Sequence, residues 1–371
     1  MRIAGPEATR RTLLTGGLLL LAAPALGATP AFDAAVGADR PGARRFATLA
    51  EAIAAAPVQG RDPFRIFVGR GVWREKLTVD RPNVHLIGED RQGSILSYDV
   101  AAGMAGPDGT PWGTPGSASV TVTAPGFAAT NLTIRNAFDY VADLAHPQFE
   151  RIGSNGAQAV ALRLAEGADR SQFRGVDLDS HQDTLFVDAG RSLFRDCRIS
   201  GSVDFIFGAG RALFQACELQ SRFRPLMQRN HGWVAVPSTP RSQPYGLTFL
   251  DCRLTREAGV PPASVALGRP WRPARSFANG RYGDPDAVGA AAFIRCWMDD
   301  HISADGWDEM GYPAPDGTRV FLQPTDARLR EFGSRGPGAF ANRRRPWLPA
   351  REAALYTPAR VLEGWTAAEE I

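Results

Sequence analysis

FRDCRI at residues 194–199 and FQACEL at 214–219 are one phrase written twice: a phenylalanine, a cysteine three positions on, an aliphatic residue five on. The phrase returns as Phe249-Leu-Asp-Cys252-Arg-Leu254 and Phe293-Ile-Arg-Cys296-Trp-Met298. Without the thiol it reads Phe127-Ala-Ala-Thr130-Asn-Leu132 and Phe173-Arg-Gly-Val176-Asp-Leu178. Positions three and five share a face on a strand, because side chains alternate with period two. Six copies of a strand that cannot bury its own face imply stacking of like on like. The intervals are 46, 21, 20, 35 and 44 residues. A minimum near 20 with longer excursions fits a parallel β-helix whose coils carry variable loops. A β-sandwich would give shorter hairpin spacing and no such register.

The ends of a solenoid need caps. Phe46-Ala-Thr-Leu49-Ala-Glu-Ala-Ile53 has helical spacing and predicts a short N-terminal capping helix, and Leu348–Leu355 predicts a helix in a C-terminal cap. Stacked positions on neighbouring coils lie about 4.8 Å apart. Cys197 and Cys217 are therefore expected within disulfide range, and an exported protein meets an oxidising compartment. For Cys252 and Cys296 a bridge and a ladder of small apolar fillers are equally compatible with the spacing.

Export is expected from the N-terminus. Thr9-Arg10-Arg11-Thr12-Leu13-Leu14 leads into an apolar stretch ending at Leu26, followed by small residues at Gly27 and Ala28. Paired arginines, a short apolar core and a small-residue cleavage site read as a twin-arginine signal over residues 1–27, with an ordinary secretory signal or an uncleaved anchor as the alternatives. The mature chain, 28–371, then forms a single catalytic domain in the periplasm or outside the cell. Removing residues 1–27 takes away three Arg and one Glu, so the formal charge falls from +3 to +1. No global basic field remains to attract nucleic acid, and no further segment is long and apolar enough to span a membrane. The five histidines are scattered without metal-like pairing, so neither metal nor cofactor is expected. The protein is expected to act as a monomer.

The chemistry points to two aspartates. In Gly201-Ser-Val-Asp204-Phe-Ile-Phe-Gly-Ala-Gly210 a carboxylate sits inside what otherwise reads as a buried strand without a turn. Burying an unpaired carboxylate costs several kcal/mol, so it needs a partner or a task. Asp204 lies ten residues after Phe194, and Asp183 ten after Phe173. The two occupy the same slot on consecutive coils, about 5 Å apart. Carboxylates that close cannot both ionise easily, which leaves one anion beside one acid. A structural Asp ladder bonded to turn amides is the bland alternative.

The phrase Gly201–Gly208 resembles the signature of the pectin methylesterases, carbohydrate esterases that form right-handed parallel β-helices. Five further segments match that family in order: Gly71-Val-Trp-Arg-Glu-Lys76, Gln158-Ala-Val-Ala-Leu162, Gln182-Asp183-Thr-Leu185, Leu267-Gly-Arg269-Pro-Trp271 and Gly306-Trp-Asp-Glu-Met310. Together they cover about residues 46–366. The resemblance implies Asp204 as nucleophile on a galacturonate C6 methyl ester and Asp183 as general acid, then base. It implies Gln158 and Gln182 as oxyanion donors and Arg269 as the cation that holds Asp204. It also places Thr114, Arg224, Asn230, Trp271 and Met310 along the substrate cleft. The substrate is then methyl-esterified homogalacturonan or its oligomers. Two departures stand out: His181 where the family usually has an aromatic before Gln-Asp-Thr-Leu, and Phe186 where bacterial relatives often carry Tyr.

A retaining glycosidase would also use paired carboxylates about 5 to 5.5 Å apart. Its positive transition state gains nothing from amide donors, whereas an oxyanion needs them. A calcium-dependent lyase would want an acidic cluster, and the sequence offers one pair. A non-catalytic sugar-binding solenoid would leave both aspartates unexplained.

Overall fold

The computed structural model describes residues 32–146, 152, 156–225, 227 and 230–367. The expected export segment, residues 1–27, lies outside the described residues. Three parallel sheets run the length of a right-handed β-helix. Among the described residues the first sheet has 11 strands, from Arg44–Phe46 to Arg328–Phe332; the second has 8 and the third 7. Each central coil contributes one strand per sheet, and the extra strands of the first sheet lie at its ends. Arg191–Arg195, Arg198–Gly201 and Ile206–Gly208 make one coil, and Arg211–Gln215, Glu218–Ser221 and Gly232–Pro237 make the next.

The repeated phrase is the corner between the first and second sheets. Asp196, Ala216, Asp251 and Arg295, each just before its cysteine, have φ between 52° and 56°. One left-handed residue breaks the alternation, so Phe and the cysteine three positions on both point into the core. Phe173, Phe194, Phe214, Phe249 and Phe293 stack with centroids 4.4 to 4.7 Å apart. Such stacked pairs add about 0.5–1.5 kcal/mol each beyond buried area. The register corrects one copy of the repeat: Ala129, not Phe127, pairs with Phe173. Phe127 is two residues out of step, though its ring still packs 5.8 Å from that of Phe173. At the other end Glu331 takes the slot after Phe293. There the stack ends in a fully buried ion pair, with Arg345 Nε donating to Glu331 Oε1 at 2.8 Å and Trp307 Nε1 donating to the same oxygen at 3.0 Å.

The expected Cys197–Cys217 disulfide is absent. All four cysteines are buried free thiols in one ladder. Cys217 Sγ donates to the carbonyl of Phe194, Cys252 to that of Phe214, and Cys296 to that of Phe249. In-register parallel strands hold Cβ vectors parallel at the rung spacing of about 4.8 Å, whereas a bridge needs them converging to about 3.5–4.5 Å.

The capping helix forms at Leu49–Ala54 with a Thr48/Glu51 capping box. Glu75, from the Gly71–Lys76 segment, also accepts from Leu49 N and Ala50 N, so that segment secures the N-terminal cap. At the far end Leu348–Leu355 contains only one short helix, Ala350–Ala353. With Val361 and Leu362 it covers Leu213, Leu250 and Ala292 on the outer face of the first sheet.

Candidate active site

Two turns between the second and third sheets build the site. Asp183 precedes Leu185–Val187 and Asp204 precedes Ile206–Gly208. Gln182 pairs with Val203, and Asp183 N donates to Val203 O at 3.0 Å, so the aspartates occupy matching slots on adjacent coils as the repeat predicts. Asp204 does not lie inside a strand, however. It and Asp183 have φ of 51° and 65°. The left-handed kink turns a carboxylate out of the solenoid while Phe205 next to it enters the core, and Asp is among the few side chains that tolerate this backbone. Gly201 makes the kink possible, because a Cβ there would lie 2.2 Å from Cβ of Phe205.

The two aspartates are 8% and 9% exposed, but their partners differ. Asp204 receives a bidentate pair from Arg269, Nε to Oδ1 at 3.0 Å and Nη2 to Oδ2 at 2.7 Å. Arg269 in turn lies 3.9 Å over the Trp233 ring, whose Nε1 donates to Asp308 at 2.9 Å. The guanidinium is thus fixed from both sides. Among the described residues Asp183 has no such cation of its own. Burial pushes its carboxyl well above the usual aspartate range, the neighbouring Asp204 charge pushes the same way, and Arg269 opposes both. One slot therefore holds an oriented carboxylate and the other favours a neutral acid.

Gln158, Gln182, Asp183 and Asp204 open into a cleft of ≈ 340 Å³ with Thr114, Phe186, Trp271 and Met310 on its walls. Gln158 lines the cleft, and its Oε1 is buried without a partner among the described residues. Phe186 and Phe207 stack at 4.3 Å to form the floor, with Trp271 edge-on at 5.8 Å from Phe207. The cleft can hold a partly apolar ring, place amide donors beside a carbonyl and present an anion and an acid to it.

Two residues expected along the cleft do not line this cavity. Arg224 is 8% exposed, its Nε donating to the Tyr140 hydroxyl and its Nη1 to the His231 carbonyl. Asn230 lines a separate depression with Trp233, Ala266 and Asp305. Both sit in the excursion between Ser221 and Gly232, where the repeat gives no register.

The structure adds Asn136, which the sequence reading missed. Its Nδ2 donates to the carbonyls of Val100, Ser117 and Val160. That ties the segment carrying Thr114 to the one carrying Gln158. The strand Thr133–Asn136 reads Thr-Ile-Arg-Asn, and nothing in that pattern marks the amide in advance. Lys76 Nζ donates to the Ala118 carbonyl on the same wall, and burial lowers its ammonium to about 8. His181 stacks on Tyr140 at 5.0 Å and fills the usual aromatic position as a neutral ring, with burial lowering it to about 3.

Fold and cleft together define a carboxylic ester hydrolase on a parallel β-helix. The chain belongs to the pectinesterase family, whose model matches residues 33–364. It is 43% identical to pectinesterase A of Dickeya dadantii (strain 3937) over 342 residues, 91% of this chain and 93% of that one. A pectin methylesterase solved in complex with a hexasaccharide superposes with a TM-score of 0.87 at 43% identity, covering 92% of this chain and 99% of that one. For the pectin methylesterase of Yersinia enterocolitica the TM-score is 0.84 at 44% identity, covering 87% and 100%.

Proposed function

We infer that the protein hydrolyses C6 methyl esters of homogalacturonan, releasing methanol and leaving free galacturonate. The observation that carries the residue roles is the asymmetry of the pair: Asp204 clamped by Arg269, Asp183 buried beside it and biased toward its protonated form. Asp204 attacks the ester carbonyl, and the electron pair moves to the carbonyl oxygen, where Gln158 and Gln182 donate N–H groups. As the C–O bond to methoxide breaks, Asp183 gives its proton and methanol departs, leaving an acyl anhydride on Asp204. Asp183, now anionic, takes a proton from water, which attacks the anhydride and restores Asp204. Asp183 is thus acid in one half-reaction and base in the other. A glycosidase reading is disfavoured, because two amide donors beside the carboxylates would oppose a positive oxocarbenium centre.

An oligosaccharide-length substrate is supported by the relative that holds a hexasaccharide. We also propose export through the twin-arginine segment, with action in the periplasm or beyond. None of the helices among the described residues is long and apolar enough to cross a membrane. The deciding assay supplies methylated pectin and follows methanol together with new reducing ends. Methanol without new ends is expected; new ends without methanol would overturn the reading.

A further inference from the structure

The segment Gly306-Trp-Asp-Glu-Met310 contributes Met310 to the cleft wall, and the steps above give its other side chains no task. Trp307 is an anchor. It is 6% exposed, its ring packs 5.7 Å from that of Phe293, and its Nε1 donates at 3.0 Å to Glu331, the carboxylate that Arg345 neutralises in the core. Breaking a buried ion pair is strongly unfavourable, so this attachment is rigid. The backbone carries it one residue further. Asp308 N donates to the Gly268 carbonyl at 2.9 Å, which fastens Asp308 to the residue immediately before Arg269.

Asp308 uses both carboxylate oxygens. Oδ1 accepts from Glu309 N at 2.9 Å, and Oδ2 accepts from Trp233 Nε1 at 2.9 Å. One oxygen thus fixes the carboxylate and the other holds the indole. Trp233 belongs to the preceding coil, where it pairs with Ala266, and it lines the depression that also contains Asp308. The Arg269 guanidinium lies 3.9 Å from the centre of its ring and reaches Asp204 through Nε and Nη2. An indole whose N–H is accepted by a carboxylate presents a more negative face, a better seat for a cation. Stacking also fixes the plane of the guanidinium, which a bidentate contact needs to match to the carboxylate.

We propose that Asp308 is a positioning residue of the esterase: it holds the Trp233 indole as a plate that keeps the Arg269 guanidinium turned to Asp204 and unshared with Asp183. The proposal rests on the catalytic reading above. Arg269 has two claimants, because Asp183 stands one coil away and also feels its charge. A guanidinium free to swing settles between the two carboxylates once both are ionised, and the pair then loses the asymmetry that separates acid from nucleophile. With the indole held, Arg269 serves one carboxylate and Asp183 keeps its proton. Asp308 lies outside the catalytic cleft and acts only through Trp233 and Arg269.

The test is methanol release from methylated pectin, with kcat and KM followed across pH. Trp233→Leu removes the plate, whereas Asp308→Ala and Trp233→Phe each remove the bond that holds it. A cation–π contact shifts an equilibrium by about two- to thirtyfold, so kcat is expected to fall about tenfold in Trp233→Leu and about threefold in each of the others. The double variant Trp233→Phe/Asp308→Ala is expected to match the two single ones, because both changes delete one interaction. Asp308→Asn, whose amide oxygen still accepts the indole N–H, is expected to recover most of kcat. In the impaired variants the decline of kcat with rising pH is expected to begin at lower pH than in the wild type, because a shared Arg269 favours ionised Asp183. A merely loosened fold would lower kcat equally at every pH. Losses that multiply in the double variant, a decline that does not move, or a rise in KM alone, which would make Trp233 a platform for sugar, would each overturn the proposal. A wild-type protein that releases no methanol would overturn the catalytic reading itself, and this proposal with it.

Discussion

Asp183→Asn is expected to abolish turnover and to stabilise the fold at the same time. Asparagine keeps the shape of the side chain but gives the departing methoxide no proton and the acyl-enzyme no base. Groups in such roles contribute about 10²- to 10⁴-fold, so methanol release is expected to fall by at least 10². The stability effect has the opposite sign. Two carboxylates about 5 Å apart repel by about 3 kcal/mol at an effective dielectric near 20. Arg269 attracts both and reduces that figure, while burial of the Asp183 carboxyl, the larger cause of its raised value, adds to the gain. The pH dependence follows from linkage. The Asp183 carboxyl is raised well above its ordinary value, so the folded state holds a proton that the unfolded chain has lost. Wild-type stability therefore falls as pH rises from the ordinary aspartate range to the raised value, by about 1.4 kcal/mol per unit of separation, and is level above it. The variant lacks this slope. Urea denaturation of both proteins between pH 4 and pH 8, alongside methanol release, reads both effects. Parallel stability curves would refute the claim that Asp183 is held protonated, and near-normal turnover would refute its role. In the wild type the acid must be protonated for the first half-reaction, so kcat is expected to decline as pH rises through the raised Asp183 value.

Gln158→Leu and Gln182→Leu are each expected to lower kcat by about 10²- to 10³-fold with a smaller change in KM, as for loss of an oxyanion donor; a pure KM effect in steady-state assays would assign them to binding instead. His301→Phe should stabilise the protein, because both ring nitrogens are buried without partners among the described residues and burial lowers the ring to about 4. The folded state then binds fewer protons than the unfolded chain between about pH 4 and 6.5, so wild-type stability falls with acidification across that window and the variant should lose part of that slope; identical denaturation curves would argue against it. Native protein is expected to react slowly with a thiol reagent and to yield four thiols on denaturation without reductant, and a yield of two would show that a disulfide forms.

Several features were legible because they are periodic. The spacing from Phe173 to Phe293 marks the stacked core, and counting ten residues on from two of those rings brings Asp183 and Asp204 to matching slots. Other features escaped for identifiable reasons. The Phe127 phrase fits the spacing, yet the coil pairs through Ala129, because strand register is decided by hydrogen bonds with neighbours and not by one motif. Arg224 and Asn230 lie in an excursion whose path no repeat constrains, so family order alone could not say which way they face.

The sequence by itself determined that like strands stack on like, that two carboxylates share a slot and that an arginine and two amides accompany them. Each of these follows from residue type and interval, quantities a linear chain already contains. Only the tertiary structure decided that Asp204 leaves its strand through a left-handed kink, that Arg269 reaches it across 65 residues of chain, and that the four cysteines remain thiols. Those outcomes depend on the directions in which side chains leave the backbone. Direction is set by φ and by packing between coils, neither of which is written in the spacing of residues.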